Sequence, residues 1–320
     1  MIYFTLIIGL AVLLIGASEL VDASVAIAER KNISPFVTGA VIVGIGTSAP
    51  ELFVTTASSI AGSCDMAMGN VLGSNICNGL IALGLAAIIC PFRLEESNMR
   101  RDIPMALFAS FLVMILCQDS IFPGIDDNEI GRVDGIFLVV LYAAYVGYIF
   151  YASKMGKESV REVKSSRLSK RPMWLLLIVA VVSLVALIVG GEVFLNSATE
   201  IATNMGISQK VISITVLALG TSLPEIVTCV IAAVKGNPQL ALGNVIGSNV
   251  TNLLLVLGVA GTCRPIVLTD VRLEDFGVLI LGAILTLAFA FTFKRKFFDR
   301  IEGVILVVLY ILYISYLIAA

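Results

Sequence analysis

The 320-residue sequence contains no histidine, and only 14% of its residues are charged. Without imidazole, the usual protein ligand for zinc and copper is missing. A histidine-based nucleophile–base pair is missing too, which leaves little room for a membrane enzyme. The six cysteines (Cys64, Cys77, Cys90, Cys117, Cys229 and Cys263) never fall in a CxxC spacing. Most lie in or at the end of apolar runs and read as small buried hydrophobes. The scarcity of charge is matched by 58% hydrophobic residues and a mean hydropathy of +1.01. Soluble domains carry about 45–50% apolar and about 25% charged residues. So apolar a chain cannot hide its surface in one soluble core, and lipid must be the solvent for much of it.

A membrane span needs roughly 20 predominantly apolar residues. Windows of that size predict ten: 3–28, 34–61, 65–90, 102–118, 130–152, 173–203, 208–234, 239–262, 272–293 and 301–319. The division between the second and third rests on Gly62, Ser63 and Asp65. The first window is too long for the apolar core of a signal peptide and has no basic residue ahead of it, so it reads as a retained helix. Sidedness follows from Lys and Arg, which favour the cytoplasm. The polar segment 153–171 carries Lys154, Lys157, Arg161, Lys164, Arg167, Lys170 and Arg171. With that loop inside, 17 basic residues fall on the cytoplasmic face and four outside (Arg132, Lys210, Arg264 and Arg272). Both termini are then extracellular. The net charge of −2 is split between two faces and gives no sign of a nucleic-acid partner. No partner protein is required by anything in the sequence.

The chain also repeats itself. Gly46-Thr47-Ser48-Ala49-Pro50-Glu51 recurs as Gly220-Thr221-Ser222-Leu223-Pro224-Glu225, offset by 174 residues. Gly69-Asn70-Val71-Leu72-Gly73-Ser74-Asn75 recurs at the same offset as Gly243-Asn244-Val245-Ile246-Gly247-Ser248-Asn249. Aligned without a gap, 44–84 and 218–258 share 17 identities in 41 positions. Apolar helices resemble one another by composition, but chance does not place Thr-Ser-x-Pro-Glu and Gly-Ser-Asn twice at one offset. Arg132–Tyr142 and Arg300–Tyr310 also match. The expected fold is all-α: ten transmembrane helices in two inverted five-helix repeats, residues 1–152 and 172–320, joined by a basic cytoplasmic loop over 153–171. Inverted repeats place a transport site at their interface near the midplane, with broken helices around it.

Four polar clusters fall at mid-span. Glu51 and Glu225 are carboxylates at a depth where insertion costs roughly 2.5–3.5 kcal/mol, and such residues are functional candidates by default. Pro50 and Pro224 lack an N–H, so the carbonyls of Gly46 and Gly220 lose a helical partner. Such a break is either an ordinary kink satisfied by neighbours or a source of free carbonyls for a cation. Asn70, Ser74 and Asn78 lie at i, i+4, i+8 along one helix face, as do Asn244, Ser248 and Asn252. Asn70 and Asn244 read either as ligands or as interhelical glue. All of these donors are oxygens, which suits calcium with its roughly 6–8 oxygen ligands. Glu19, Asp22, Glu192 and Glu200 lie nearer span ends and read as interfacial or gate-lining groups.

These paired motifs resemble the two alpha-repeats of the calcium/cation antiporter superfamily, and within it the prokaryotic sodium/calcium exchangers. The resemblance covers essentially all ten predicted helices. It implies an alternating-access antiporter of the cell membrane that exchanges sodium for calcium, three sodium ions to one calcium, with no cofactor. It further implies that calcium is held by Glu51 and Glu225 with the backbone carbonyls of Thr47 and Thr221. Sodium would be held by the carbonyls of Gly44 and Ala218, the hydroxyls of Ser48, Ser74, Ser222 and Ser248, and the polar groups of Asn78 and Asn252. Relatives often carry Asp at one or both of the last two positions. Asn at both argues against the potassium-dependent branch. A proton/calcium exchanger of the same fold is the alternative. A passive channel fits poorly with two buried carboxylates enclosed by an inverted pseudo-dimer. The short central loop lacks the large regulatory domain of eukaryotic exchangers.

Overall fold

A computed structural model describes residues 1–118, 128–154, 166–207, 220–268, 273–289, 291 and 296–319. The described helices are α1 (Ile2–Lys31), α2 (Pro35–Thr47), α3 (Ala49–Ala61), α4 (Cys64–Ile89), α5 (Ile103–Leu116) and α6 (Arg132–Lys154). They continue with α7 (Met173–Asn204), α8 (Leu223–Val234), α9 (Pro238–Cys263), α10 (Leu273–Phe289) and α11 (Arg300–Ala319). Six are long and apolar enough to cross a membrane (α1, α4, α6, α7, α9 and α11), or seven spans if the bent pair α2–α3 counts as one. The chain is therefore an all-helical, multi-pass membrane protein. Segments 155–165 and 208–219, with Ala218 among them, lie outside the described residues.

Local chemistry sets the helix ends. Asn32 closes α1 in the left-handed conformation, φ 53°, its N–H reaching back to the carbonyls of Ala28 and Glu29. The Ser34 hydroxyl then accepts the Val37 N–H at 3.2 Å, and Pro35 fills the first turn of α2. Gly62, φ 85°, ends α3, at the residue on which the windows were divided. Helix α6 runs two residues beyond its predicted window, to Lys154.

Packing follows the repeat. The short strands β1 (Phe92–Arg93) and β4 (Phe297–Phe298) pair antiparallel, and β2 (Glu129–Ile130) pairs with β3 (Ile266–Val267). Phe92 and Ile266 are 174 residues apart, and Glu129 and Phe297 are 168 apart. Helices α1 and α7 cross through reciprocal glycines. A Cβ on Gly16 would stand 2.7 Å from the Leu187 nitrogen, and one on Gly190 would stand 2.5 Å from the Leu13 nitrogen. Both pairs obey the 174-residue offset.

The most buried helices are those that carry the polar motifs. The core windows of α9 and α4 are 89% and 67% buried, against 22–33% for α1, α6, α7 and α11. Their polar faces are thus turned from lipid into protein. Helix α9 packs so closely on α2 that a Cβ at Gly247 would fall 2.3 Å from the Ala40 Cα. Gly247→Ala must push backbone from backbone. It should destabilise the protein by about 1–3 kcal/mol, as overpacked cores do, visible as a lower thermal unfolding midpoint in detergent.

Candidate site at the repeat interface

The site is built on two helix breaks. Between α2 and α3 the axis bends by 45°. The residue at the bend is Ser48, φ −79°, ψ 5°, with Pro50 and Glu51 in the first turn of α3. Ser222 stands in the same relation to α8, with φ −82°, ψ −3°, followed by Pro224 and Glu225. Proline is tolerated there because first-turn N–H groups lack helical partners. Each glutamate consequently sits at the electropositive end of a helix. The interruption falls two residues ahead of each proline.

A second irregularity faces the first. Helix α4 widens into a π turn over Asn78–Ala82, and α9 does so over Thr251–Val256. The turns begin at Asn78 and one residue before Asn252. Such bulges concentrate at functional sites. Segments Thr38–Val43 and Asn98–Asp102 are also π-helical.

The predicted residues are brought together and buried. Glu51 and Glu225 are both 0% exposed. Thr47, Ser48, Ser74, Ser222, Ser248, Asn78, Asn252, Asn70 and Asn244 are buried with them, as is Gly44. Thr221 is half-buried. Two hydrogen-bonded triads join the halves. Thr47 Oγ1 donates to Asn244 Oδ1 at 3.3 Å and lies 3.5 Å from Ser248 Oγ. Its counterpart Thr221 donates to Asn70 Oδ1 at 3.2 Å and lies 3.0 Å from Ser74 Oγ. The asparagines also tie neighbouring helices within each half. Asn70 Nδ2 donates to Thr55 Oγ1 at 3.0 Å, and Asn244 Nδ2 to Cys229 Sγ at 3.2 Å. Ser248 Oγ donates to the Gly44 carbonyl at 3.4 Å.

Against this frame, several polar atoms at the helix breaks and π turns are left over. Both carboxyl oxygens of Glu51 and of Glu225, the hydroxyls of Ser48 and Ser222, and the amide oxygens of Asn78 and Asn252 are buried without a hydrogen-bond partner among the described residues. Buried polar atoms are normally paired, so such orphans call for an explanation. The glutamates are close enough to feel one another's charge; Ser74 and Thr221 flank Glu51, and Thr47 and Ser48 flank Glu225. No group of three or more Asp, Glu, His or Cys side chains gathers among the described residues. The arrangement is a pocket of neutral oxygens around two carboxylates, with the chemistry of a hard-cation site.

The family profile described as sodium/calcium exchanger protein matches residues 1–151 and 175–319. The chain belongs to this family. It is 32% identical to the sodium/calcium exchanger MaX1 of Methanosarcina acetivorans over 340 aligned residues, covering 98% of this chain and 97% of that one. It is 31% identical to the inner membrane protein YrbG of Escherichia coli, covering 88% and 86%. Among solved structures it is similar to the sodium-calcium exchanger NCX_Mj soaked with 2.5 mM Na+ and 10 mM Sr2+. There the TM-score is 0.81 at 30% identity, covering 98% of this chain and 99% of that one. The protein is thus a cation antiporter, a transporter and not an enzyme.

In this exchanger the weaker acids take up other positions. Glu192 lines a cavity of about 500 Å³ with Pro50, Phe53, Leu195, Thr221 and Pro224, which brings open space up to both helix breaks. Glu19 and Asp22 both pair with Arg167, and Asp22 also pairs with Lys235 Nζ at 2.7 Å. Hydrogen bonding to Asp22, and then the charge of Glu19, keep the Arg167 guanidinium protonated beyond its usual range. Glu200 lies exposed near the end of α7. The sequence reading missed Asn75 and Asn249 as anything beyond motif letters. Each donates its amide to the other's backbone carbonyl at 3.3 Å. Their 174-residue separation was the available signal.

Proposed function

We propose that this protein exchanges sodium for calcium across the cell membrane by alternating access, using one site shared between two inverted five-helix repeats, residues 1–152 and 172–320. The single observation that carries this reading is the set of orphaned oxygens. The buried atoms without partners among the described residues include both carboxylates and the Ser48, Ser222, Asn78 and Asn252 oxygens, on side chains whose counterparts, by family resemblance, hold cations. Glu51 and Glu225 are assigned to calcium with the Thr47 and Thr221 carbonyls. Ser48, Ser74, Ser222, Ser248, Asn78, Asn252 and the carbonyls of Gly44 and Ala218 are assigned to sodium. Asn70 and Asn244, whose amides are engaged with Thr55, Thr221, Cys229 and Thr47, serve chiefly as glue. Similarity to exchangers whose names specify sodium and calcium supports these ions as substrates. The deciding experiment is reconstitution in liposomes, comparing radiocalcium uptake driven by an outward sodium gradient with uptake driven by a pH gradient. Uptake that follows the sodium gradient alone is expected; uptake that follows only the pH gradient would replace this reading with proton/calcium exchange.

The ten-span topology places both termini outside and the 153–171 loop in the cytoplasm, as the basic-residue asymmetry requires. Lys170 and Arg132 are both exposed. In a cysteine-free background, Lys170→Cys should react only with reagents that reach the cytoplasm, and Arg132→Cys only from outside. Labelling of both from one side would exclude the inverted arrangement.

A further inference from the structure

We infer that Asn75 is a positioning residue, which fixes the polarity of the Asn252 amide so that its oxygen faces the transported ion. The inference rests on the reading of Asn252 as a sodium ligand. It follows from a chain of hydrogen bonds in which each link dictates the next. A backbone carbonyl can only accept, so the Asn75 side chain must turn its nitrogen to the Asn249 carbonyl, 3.3 Å away. The Asn75 amide oxygen is thereby left over, and it can only accept. It takes a hydrogen bond from Asn252 Nδ2 at 3.2 Å. Asn252 is therefore held with its NH2 towards Asn75. Its oxygen points away, buried and without a partner among the described residues. Terminal amides rotate readily between two near-equivalent orientations. Only one of them offers a cation a negative dipole end.

The other repeat does not complete the same chain. Asn249 donates to the Asn75 carbonyl at 3.3 Å, as symmetry demands. Its own amide oxygen, however, has no partner among the described residues, and neither atom of the Asn78 amide has one. The exchanger thus carries one asparagine whose polarity is set and one that remains free to turn. Two related halves meet at a site that need not treat successive sodium ions alike, and Asn75 is where the symmetry breaks.

Removing the Asn75 side chain lets the freed Asn252 NH2 turn towards the anionic, ion-free site, so the oxygen-in orientation becomes a minority state. Apparent affinity falls by that fraction. Asn75→Ala should raise the half-saturating sodium concentration for sodium-driven radiocalcium transport in liposomes about three- to tenfold. Calcium–calcium exchange without sodium, which also reports correct folding, should keep its half-saturating calcium within about twofold. Asn249→Ala removes only the bond to the Asn75 carbonyl and should leave the sodium dependence near wild type. In an Asn252→Ala background, Asn75→Ala should add nothing. Equal shifts from Asn75→Ala and Asn249→Ala, additive effects with Asn252→Ala, or an unshifted Asn75→Ala would overturn the assignment. If Asn75→Ala does not fold, the nearly isosteric Asn75→Leu takes its place. It too removes the acceptor for Asn252 without adding charge, so an unshifted sodium dependence in that variant would equally overturn the assignment. An Asn252→Ala variant with wild-type sodium dependence would instead remove the underlying assignment of Asn252 as a ligand.

Discussion

Glu51→Gln and Glu225→Gln should each abolish calcium transport, with the two halves of the chain equally sensitive. The amide keeps the volume of the carboxylate and leaves the surrounding packing intact. What it removes is one of two negative charges, both 0% exposed and close enough to interact. A divalent ion in the remaining site carries one uncompensated positive charge in a medium that solvates it poorly. Breaking a buried charge pair by deleting one partner costs about 3–5 kcal/mol, which corresponds to a loss of calcium affinity of roughly two to three and a half orders of magnitude. The variants should still insert in the membrane and elute as wild type on size exclusion, because the amide fills the same volume and its oxygen can accept from the flanking hydroxyls as the carboxylate can. Near-wild-type calcium uptake by either variant would refute a shared site. Asn70→Ala should be much milder. Its amide bridges Thr55 and Thr221 at 3.0 and 3.2 Å, so it supports the frame around the ion rather than the ion itself.

The contrast between Glu51 and Asn70 marks how far the sequence could be read. A carboxylate at mid-span is conspicuous from composition alone, because lipid leaves it no inexpensive structural role. The 174-residue repeat then doubled each assignment: Glu225 with Glu51, Ser222 with Ser48, Asn252 with Asn78. Helix ends were also legible where a residue type dictates a backbone conformation, as at Gly62. An asparagine on a polar helix face, by contrast, can point at an ion or at a neighbouring helix with equal chemical sense. That choice depends on crossing geometry, which a sequence does not display. Asn70, Asn75 and Asn249 were opaque for that reason. The π turns at Asn78–Ala82 and Thr251–Val256 were opaque for a related one. No residue type demands such a turn, which arises from packing between segments far apart in the chain. The breaks at Ser48 and Ser222 fall between each proline and the Gly46 or Gly220 carbonyl that it deprives of a partner, because the distortion spreads over the turn before the ring.

Calcium uptake against outgoing sodium should accelerate when the vesicle interior is made positive and slow when it is made negative. Charge at the site sets this dependence. With Asn at 78 and 252, Glu51 and Glu225 are the assigned ligands that carry charge, giving −2 when both are ionised. One calcium neutralises that charge, and so do two sodium ions. A neutral loaded site can cross the low-dielectric barrier between outward- and inward-open forms. An empty site of charge −2 cannot, because isolated buried charges are far too costly. That difference makes exchange obligatory and suppresses leak. The family resemblance implies a third sodium, for which the hydroxyl and amide oxygens provide neutral ligands. The sodium-loaded carrier then bears about one positive charge, and each cycle moves one net charge outward with the sodium. Moving that charge is worth about 2.3 kcal/mol per 100 mV. A potential of about 60 mV should therefore change the calcium gradient sustained by a fixed sodium gradient roughly tenfold. A potassium-diffusion potential set with valinomycin provides the measurement. Uptake indifferent to that potential would indicate electroneutral exchange of two sodium ions for one calcium. The third sodium site would then be missing, and the Asn78 amide, which no bond holds in either orientation among the described residues, would be the place where it was lost.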